Sequence, residues 1–170
     1  NALDDLLDAA SLSRGDAVTW LLIGSGPEKD ALQRRVAAER LDNVVMLDPV
    51  PKAAIPTLLR AMDILYIGLR SEPLFRFGIS PNKLMDYMMA ARPVVCAIAA
   101  GNDPVGDSGC GITVAPGAPE GVARAVRQLA ALTRDERLAI GRRGREFVLS
   151  HHTYPVLARR FIEAVQAHGH

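Results

Sequence analysis

The stretch AVTWLLIGSGPEKDALQRRV, residues 17–36, decides how the rest of the chain is read. AVTWLLIG (17–24) is a continuous apolar run, shorter than the ~10–12 residues of a buried helix, and GSGP stops it, so it reads as a buried strand. Pro27 then opens a helix running to about Leu41, with Leu32, Val36 and Ala37 on its inner face. A strand, a tight turn and a helix make one unit of a parallel sheet.

The same alternation continues in both directions. Residues 3–12 read as an amphipathic helix (Leu3, Leu6, Leu7, Ala10). NVVML (43–47) is a strand, 52–61 a short helix, DILYIGL (63–69) a strand, and 81–91 a helix. PVVCAI (93–98) and GITVA (111–115) are strands, and helices follow at 119–132, 134–149 and 154–167. This order implies an α/β fold: a doubly wound, mostly parallel, Rossmann-like sheet with helices on both faces. No internal repeat or low-complexity segment interrupts it.

The 170 residues are enough for a core without disulfides or metal, and the net charge of +1 argues against a nucleic-acid binder driven by a global basic field. Cys96 and Cys110 form no CxxC pair, which argues against zinc or a redox dithiol and, with no signal peptide, suggests a reducing, cytoplasmic home. No apolar stretch reaches the ~18 residues of a membrane span. The chain starts at Asn1 with helical periodicity already under way, so it is expected to be a fragment, with Asn1-Ala2 native or left by cloning.

In a sheet of this kind ligands bind beyond the carboxyl ends of the strands. That selects the loops 24–27, 48–51, 70–81 and 99–107. Gly24 and Gly26 supply two glycines of a GxGxxG fingerprint, but Lys29 stands at the third, so a tight turn is the stronger reading. FGISPNKLMDYMMA (77–90) says more. Ser80 is placed to cap a helix and Pro81 to start it, leaving outward N–H groups to which Asn82 and Lys83 add donors and charge, a setting for a diphosphate. Asp86 lies about 6 Å further along the axis, where it could meet the hydroxyls of an attached ribose. The competing reading pairs Lys83 with Asp86 on a solvated face, and spacing alone leaves both open. Leu84, Met85, Met88 and Met89 read as core.

Other candidates are weaker. His151, His152, His168 and His170 lack acidic partners at ligand spacing, and Asp4-Asp5 read as solvated, so no metal is expected. Ser11, Ser13 and Ser25 have no visible base. Arg142, Arg143 and Arg145 read as the polar face of a helix.

The ordered set WLLIGSGPEKDAL, NVVMLDPVPKAAIPTLLRAMDILYIGL, FGISPNKLMDYMMAARPVV and GNDPVGDSGCGITVAPGAPEGVARAVRQL resembles the C-terminal, nucleotide-sugar-binding half of retaining family-4 glycosyltransferases of the GT-B fold. The resemblance covers essentially the whole chain and is closest to the branches that build bacterial lipopolysaccharide, O-antigen or capsule.

It implies a donor-binding domain over 1–150 and, over 151–170, a C-terminal helix near the domain interface. The implied donor-binding residues are Gly24, Gly26, Val50, Gly78, Ile79, Ser80, Asn82, Lys83 and Asp86, with Asp86 holding the ribose and the 48–51 loop against the base. Gly78 stands where the family often has a Glu touching the donor sugar. No catalytic residue and no cofactor are implied. The implied partners are a nucleotide sugar, UDP-linked by expectation, a missing N-terminal acceptor domain, and a lipid-linked or saccharide acceptor, with no nucleic acid. The missing domain leaves room for peripheral contact at the inner face of the cytoplasmic membrane. The alternatives are a UDP-sugar epimerase of related fold and a non-catalytic binding module. The family's first strand, central in the order 3-2-1-4-5-6, is missing ahead of residue 3, so the strands at 17–23 and 63–69 are expected to face each other across a gap, to pair directly, or to recruit a strand from another chain.

Overall fold

The computed structural model describes residues 3–167, so Asn1, Ala2, His168 and His170 lie outside the described residues. Among the described residues there are five strands: β1 (Trp20–Ile23), β2 (Val44–Leu47), β3 (Leu65–Gly68), β4 (Val94–Ala97) and β5 (Gly111–Thr113). The helices are α1 (Leu3–Leu12), α2 (Lys29–Ala38), α3 (Ile55–Ala61), α4 (Asn82–Met89), α5 (Pro104–Ser108), α6 (Pro119–Ala130), α7 (Arg134–His151) and α8 (Tyr154–Ala167). All strand pairs are parallel. Helix α5 is absent from the reading of the sequence. It forms because Asp103 caps it, accepting from the Gly106 N–H, and Pro104 supplies its first turn. Helix α2 starts at Lys29 rather than Pro27, and Ala37 is exposed.

The strands form two sheets, β1-β2 and β3-β4-β5. Residues 3–12 are helical, so among the described residues no strand lies between β1 and β3, and the two do not pair directly: within this chain they face each other across a gap. The alternation of hydrogen bonds shows which groups face it. The Trp20 and Gly24 N–H groups donate to Asn43 and Leu47 carbonyls across β2, and those of Leu65 and Leu69 donate to Pro93 and Ala97 across β4. The backbone groups of Leu21 and Ile23, and of Tyr66 and Gly68, therefore point into the gap.

Helices bridge what hydrogen bonds do not. One apolar cluster joins Leu6, Leu7 and Ala10 of α1, Trp20, Leu32, Val95, and Val122, Val126 and Leu129 of α6. A second, behind β4, joins Leu84, Met88, Cys96, Val105, Cys110 and Val148. Met85 packs against this second cluster, whereas Met89 is exposed, its position falling on the outer side of a helix covered on one face only. Ser13 is fully buried. Its hydroxyl accepts from Trp20 Nε1 at 2.9 Å and donates back to the end of α1, which explains this serine without any base. Arg35 ties α2 to α1 through Asp4 and Asp8, and it also meets Glu39, the residue that caps the end of α2.

The gap makes a test. In amide hydrogen exchange, Leu21, Ile23, Tyr66 and Gly68 should exchange at least about tenfold faster than Leu22, Leu65 and Ile67 on the same strands. Equal protection along β1 and β3 would mean that the two sheets are joined by hydrogen bonds after all.

Candidate functional site

Because every strand runs the same way, the turns after β1, β2, β3 and β4 gather at one edge. A cavity of about 760 Å³ runs the length of the gap between the sheets, from Ala17, Val18 and Asp63 ahead of the strands, past Trp20, Leu21, Leu65 and Tyr66, to the turns that follow them. Its other wall residues include Gly24, Pro49, Val50, Lys83, Asp86 and Tyr87. Four of the candidates from the sequence, Gly24, Val50, Lys83 and Asp86, therefore meet on one cavity. Gly26, Gly78, Ile79, Ser80 and Asn82 lie outside its wall.

The mouth of α4 differs from its expected form by one residue. Pro81 is the cap position, with an extended ψ of 122°, and Ser80 lies one step before it, with no side chain capping the helix. Proline fixes its own φ and holds the preceding residue extended, so the helix turns only after it. The first bond is Leu84 N–H to Pro81 C=O, 2.9 Å. The amides of Asn82 and Lys83 are left at an uncapped helix start, with the positive end of the helix dipole behind them.

Among the described residues, neither Lys83 nor Asp86 has an ion-pair partner within 4.0 Å. The surface-pair reading is thus not the one the fold adopts. Both side chains are exposed on α4, the cation at its mouth and the carboxylate one turn further in. Lys29, which spoils the glycine fingerprint, instead donates to Asp48 at 2.6 Å. That bond holds the Asp48 carboxylate below its ordinary range and ties α2 to the turn after β2. Sequence reasoning missed this pair, since its partners lie in different units.

Two phenols complete the cavity. Burial pushes Tyr66 up to about 12, and its hydroxyl is enclosed without a hydrogen-bond partner among the described residues. Burial, and then the Asp86 carboxylate, push Tyr87 up as well. Both remain neutral donors at ordinary pH. The thiols are different: burial pushes Cys96 up to about 12 and raises Cys110, and both lie in the core, so neither is poised as a nucleophile. No group of His, Cys, Asp or Glu among the described residues could hold a metal ion, and no described helix is long and apolar enough to cross a membrane. Asp4 and Asp5 are not free: Asp4 meets Arg35, and Asp5 accepts from the Gly117 N–H at 3.1 Å. Arg142, Arg143 and Arg145 are exposed on α7.

The loop leading into α4 is fixed from the side. Asn102 accepts from the Ile79 N–H at 2.8 Å and donates to the Ile79 carbonyl at 2.9 Å. Gly78 has φ +95°, and a β-carbon there would stand 3.1 Å from Asn102 Oδ1. No side chain, and so no carboxylate, fits this position without strain.

The family model described as "Glycosyl transferases group 1" matches residues 1–131. A search of curated proteins finds no match. Among solved structures, sucrose-phosphate synthase from Thermosynechococcus elongatus superposes with a TM-score of 0.78 at 18% identity, over 98% of this chain and 42% of that one. HepE from Anabaena, in complex with UDP, gives 0.73 at 22% identity, over 96% and 44%. The C-terminal domain of a group 1 glycosyl transferase, LpcC from Francisella tularensis, gives 0.70 at 20% identity, over 90% and 80%. At these identities the likeness is one of fold, that of the Rossmann-like C-terminal half of GT-B proteins. The chain spans less than half the length of the first two.

Replacing Gly78 with alanine should cost about 1 kcal/mol or more, because the positive φ is strained for any L side chain. Thermal unfolding should show it as a midpoint lower by roughly 2–4 °C. An unchanged midpoint would mean that the loop does not hold this conformation in solution.

Proposed function

Because the chain belongs to the group 1 glycosyl transferases, we propose that it forms the donor-binding half of a retaining, family-4 type enzyme. In this reading the enzyme moves a hexosyl or N-acetylhexosaminyl unit from a UDP-sugar to a lipid-linked or saccharide acceptor during bacterial surface polysaccharide synthesis, at the cytoplasmic side of the membrane. The observation that carries it is the meeting of Lys83 and Asp86, both without an ion-pair partner among the described residues, with the Gly24 and Val50 turns on one cavity. HepE, which shares the fold, is seen with UDP and with UDP-glucose, and this supports a nucleotide sugar as the ligand class.

The diphosphate lies at the start of α4, where the Asn82 and Lys83 amides and the Lys83 ammonium meet its charge without a metal. Asp86 accepts from the ribose hydroxyls, and backbone groups of residues 48–51 read the base. Transfer breaks the bond between the anomeric carbon and the phosphate oxygen and joins that carbon to the acceptor oxygen. The acceptor proton passes to the departing diphosphate, whose growing charge the helix start and Lys83 stabilise. No side chain among the described residues is assigned as nucleophile. An N-terminal domain brings the acceptor, and α8 is assigned to the interface with it, in keeping with the exposed Tyr154, Phe161, Ile162 and Val165. Gly78 brings no carboxylate to the sugar, which is the one feature that favours a binding module without turnover.

Calorimetry decides the ligand. UDP should bind more tightly than NAD, and Asp86→Ala should weaken UDP by about 1.5–3 kcal/mol, roughly tenfold to a hundredfold, while leaving inorganic pyrophosphate nearly unchanged. Tighter NAD binding sinks the assignment, and equal losses for UDP and pyrophosphate show that Asp86 serves the helix rather than the ribose.

A further inference from the structure

We propose that Asn102 is the positioning residue of the α4 mouth: its side-chain amide sets where the Gly78–Pro81 loop, and hence the helix start, is presented to the diphosphate. The inference rests on the donor-site reading above but concerns a residue outside the cavity wall. Asn102 is exposed, so burial of its side chain does not explain its bonds. It binds both backbone groups of one residue, the Ile79 N–H at 2.8 Å and the Ile79 carbonyl at 2.9 Å. A primary amide can do this because it carries a donor and an acceptor side by side, as a neighbouring strand would.

The clamp stands on a rigid base. The next residue, Asp103, accepts from Thr113 Oγ1 at 2.7 Å and from the Gly106 N–H at 3.0 Å, which anchors the loop to β5 and α5. One residue earlier, the Gly101 N–H donates to the Phe75 carbonyl at 2.8 Å. A β-carbon at Gly101 would overlap the Arg76 carbonyl oxygen, so only glycine permits this approach. The turn after β4 is thereby stitched to the turn after β3 at two successive residues. Ile79 lies three residues before Asn82, and between them Pro81 limits the freedom of the link. A shift of Ile79 is passed to the Asn82 and Lys83 amides.

Asn102→Ala and Asn102→Asp separate this role from a merely structural one. Aspartate keeps an acceptor for the Ile79 N–H but has no donor for its carbonyl. In the wild-type chain the Ile79 amide should be protected from exchange, and Asn102→Ala should remove that protection while thermal unfolding moves by no more than a degree or two. UDP affinity should fall about tenfold in Asn102→Ala and less in Asn102→Asp, with inorganic pyrophosphate losing as much as UDP because the helix start itself is displaced. Rapid exchange at Ile79 in the wild type overturns the clamp whether or not UDP binds. Loss of protection with UDP affinity unchanged overturns the positioning role. Failure of the wild type to bind any nucleoside diphosphate would instead count against the function proposed above, and the exchange measurement would still decide the clamp.

Discussion

Parallel pairing is the constraint from which the rest of this molecule follows. Strands that all run one way cannot be joined by hairpins, so each is followed by a helix that carries the chain back. Every turn from strand to helix then falls at one edge, and that edge is where Gly24, Val50, Lys83 and Asp86 meet. These four, up to 62 apart in sequence, line the same cavity between the sheets.

At that edge the polar groups divide by the partners they have. Lys29 and Asp48 satisfy each other, Asp5 takes the Gly117 amide, and Asp103 takes Thr113 and Gly106. These pairs hold turns in place. Lys83 and Asp86 have no such partner among the described residues, and the start of α4 has no side-chain cap. The molecule thus keeps its structural polar contacts at the flanks and leaves a cation, a carboxylate and a helix start at the centre. That arrangement suits a ligand that carries negative charge at one end and hydroxyls at the other.

Much of this was legible in the sequence, for local reasons. The apolar runs at 17–24, 43–47, 63–69 and 93–98 lead into glycine- or proline-containing turns, and each holds a strand, while the helix read at 134–149 is α7 to within two residues. The gap between β1 and β3 was one of three outcomes that the family resemblance left open. What stayed hidden depends on contacts between distant turns. The bond of Lys29 to Asp48 and the clamp of Asn102 on Ile79 leave no periodic trace. Nor could spacing decide whether Lys83 and Asp86 pair, since residues three apart on a helix can meet or diverge according to what surrounds them. Helix α5 was missed because five residues are too few to show a period, although Asp103-Pro104 is the start signal.

The split sheet gives the molecule a seam of a particular kind. Within β1-β2 and within β3-β4-β5 the strands are held by directional backbone bonds, whereas the two sheets are joined by the apolar packing of α1 against α6 and of both against Trp20 and Val95, flanked by the Arg127–Asp16 and Gly117–Asp5 bonds. Apolar burial loses strength on cooling, while the ladders within each sheet do not share that dependence. The seam therefore rests on contacts that weaken as the solution is chilled, whereas each sheet keeps the register that its own directional bonds set.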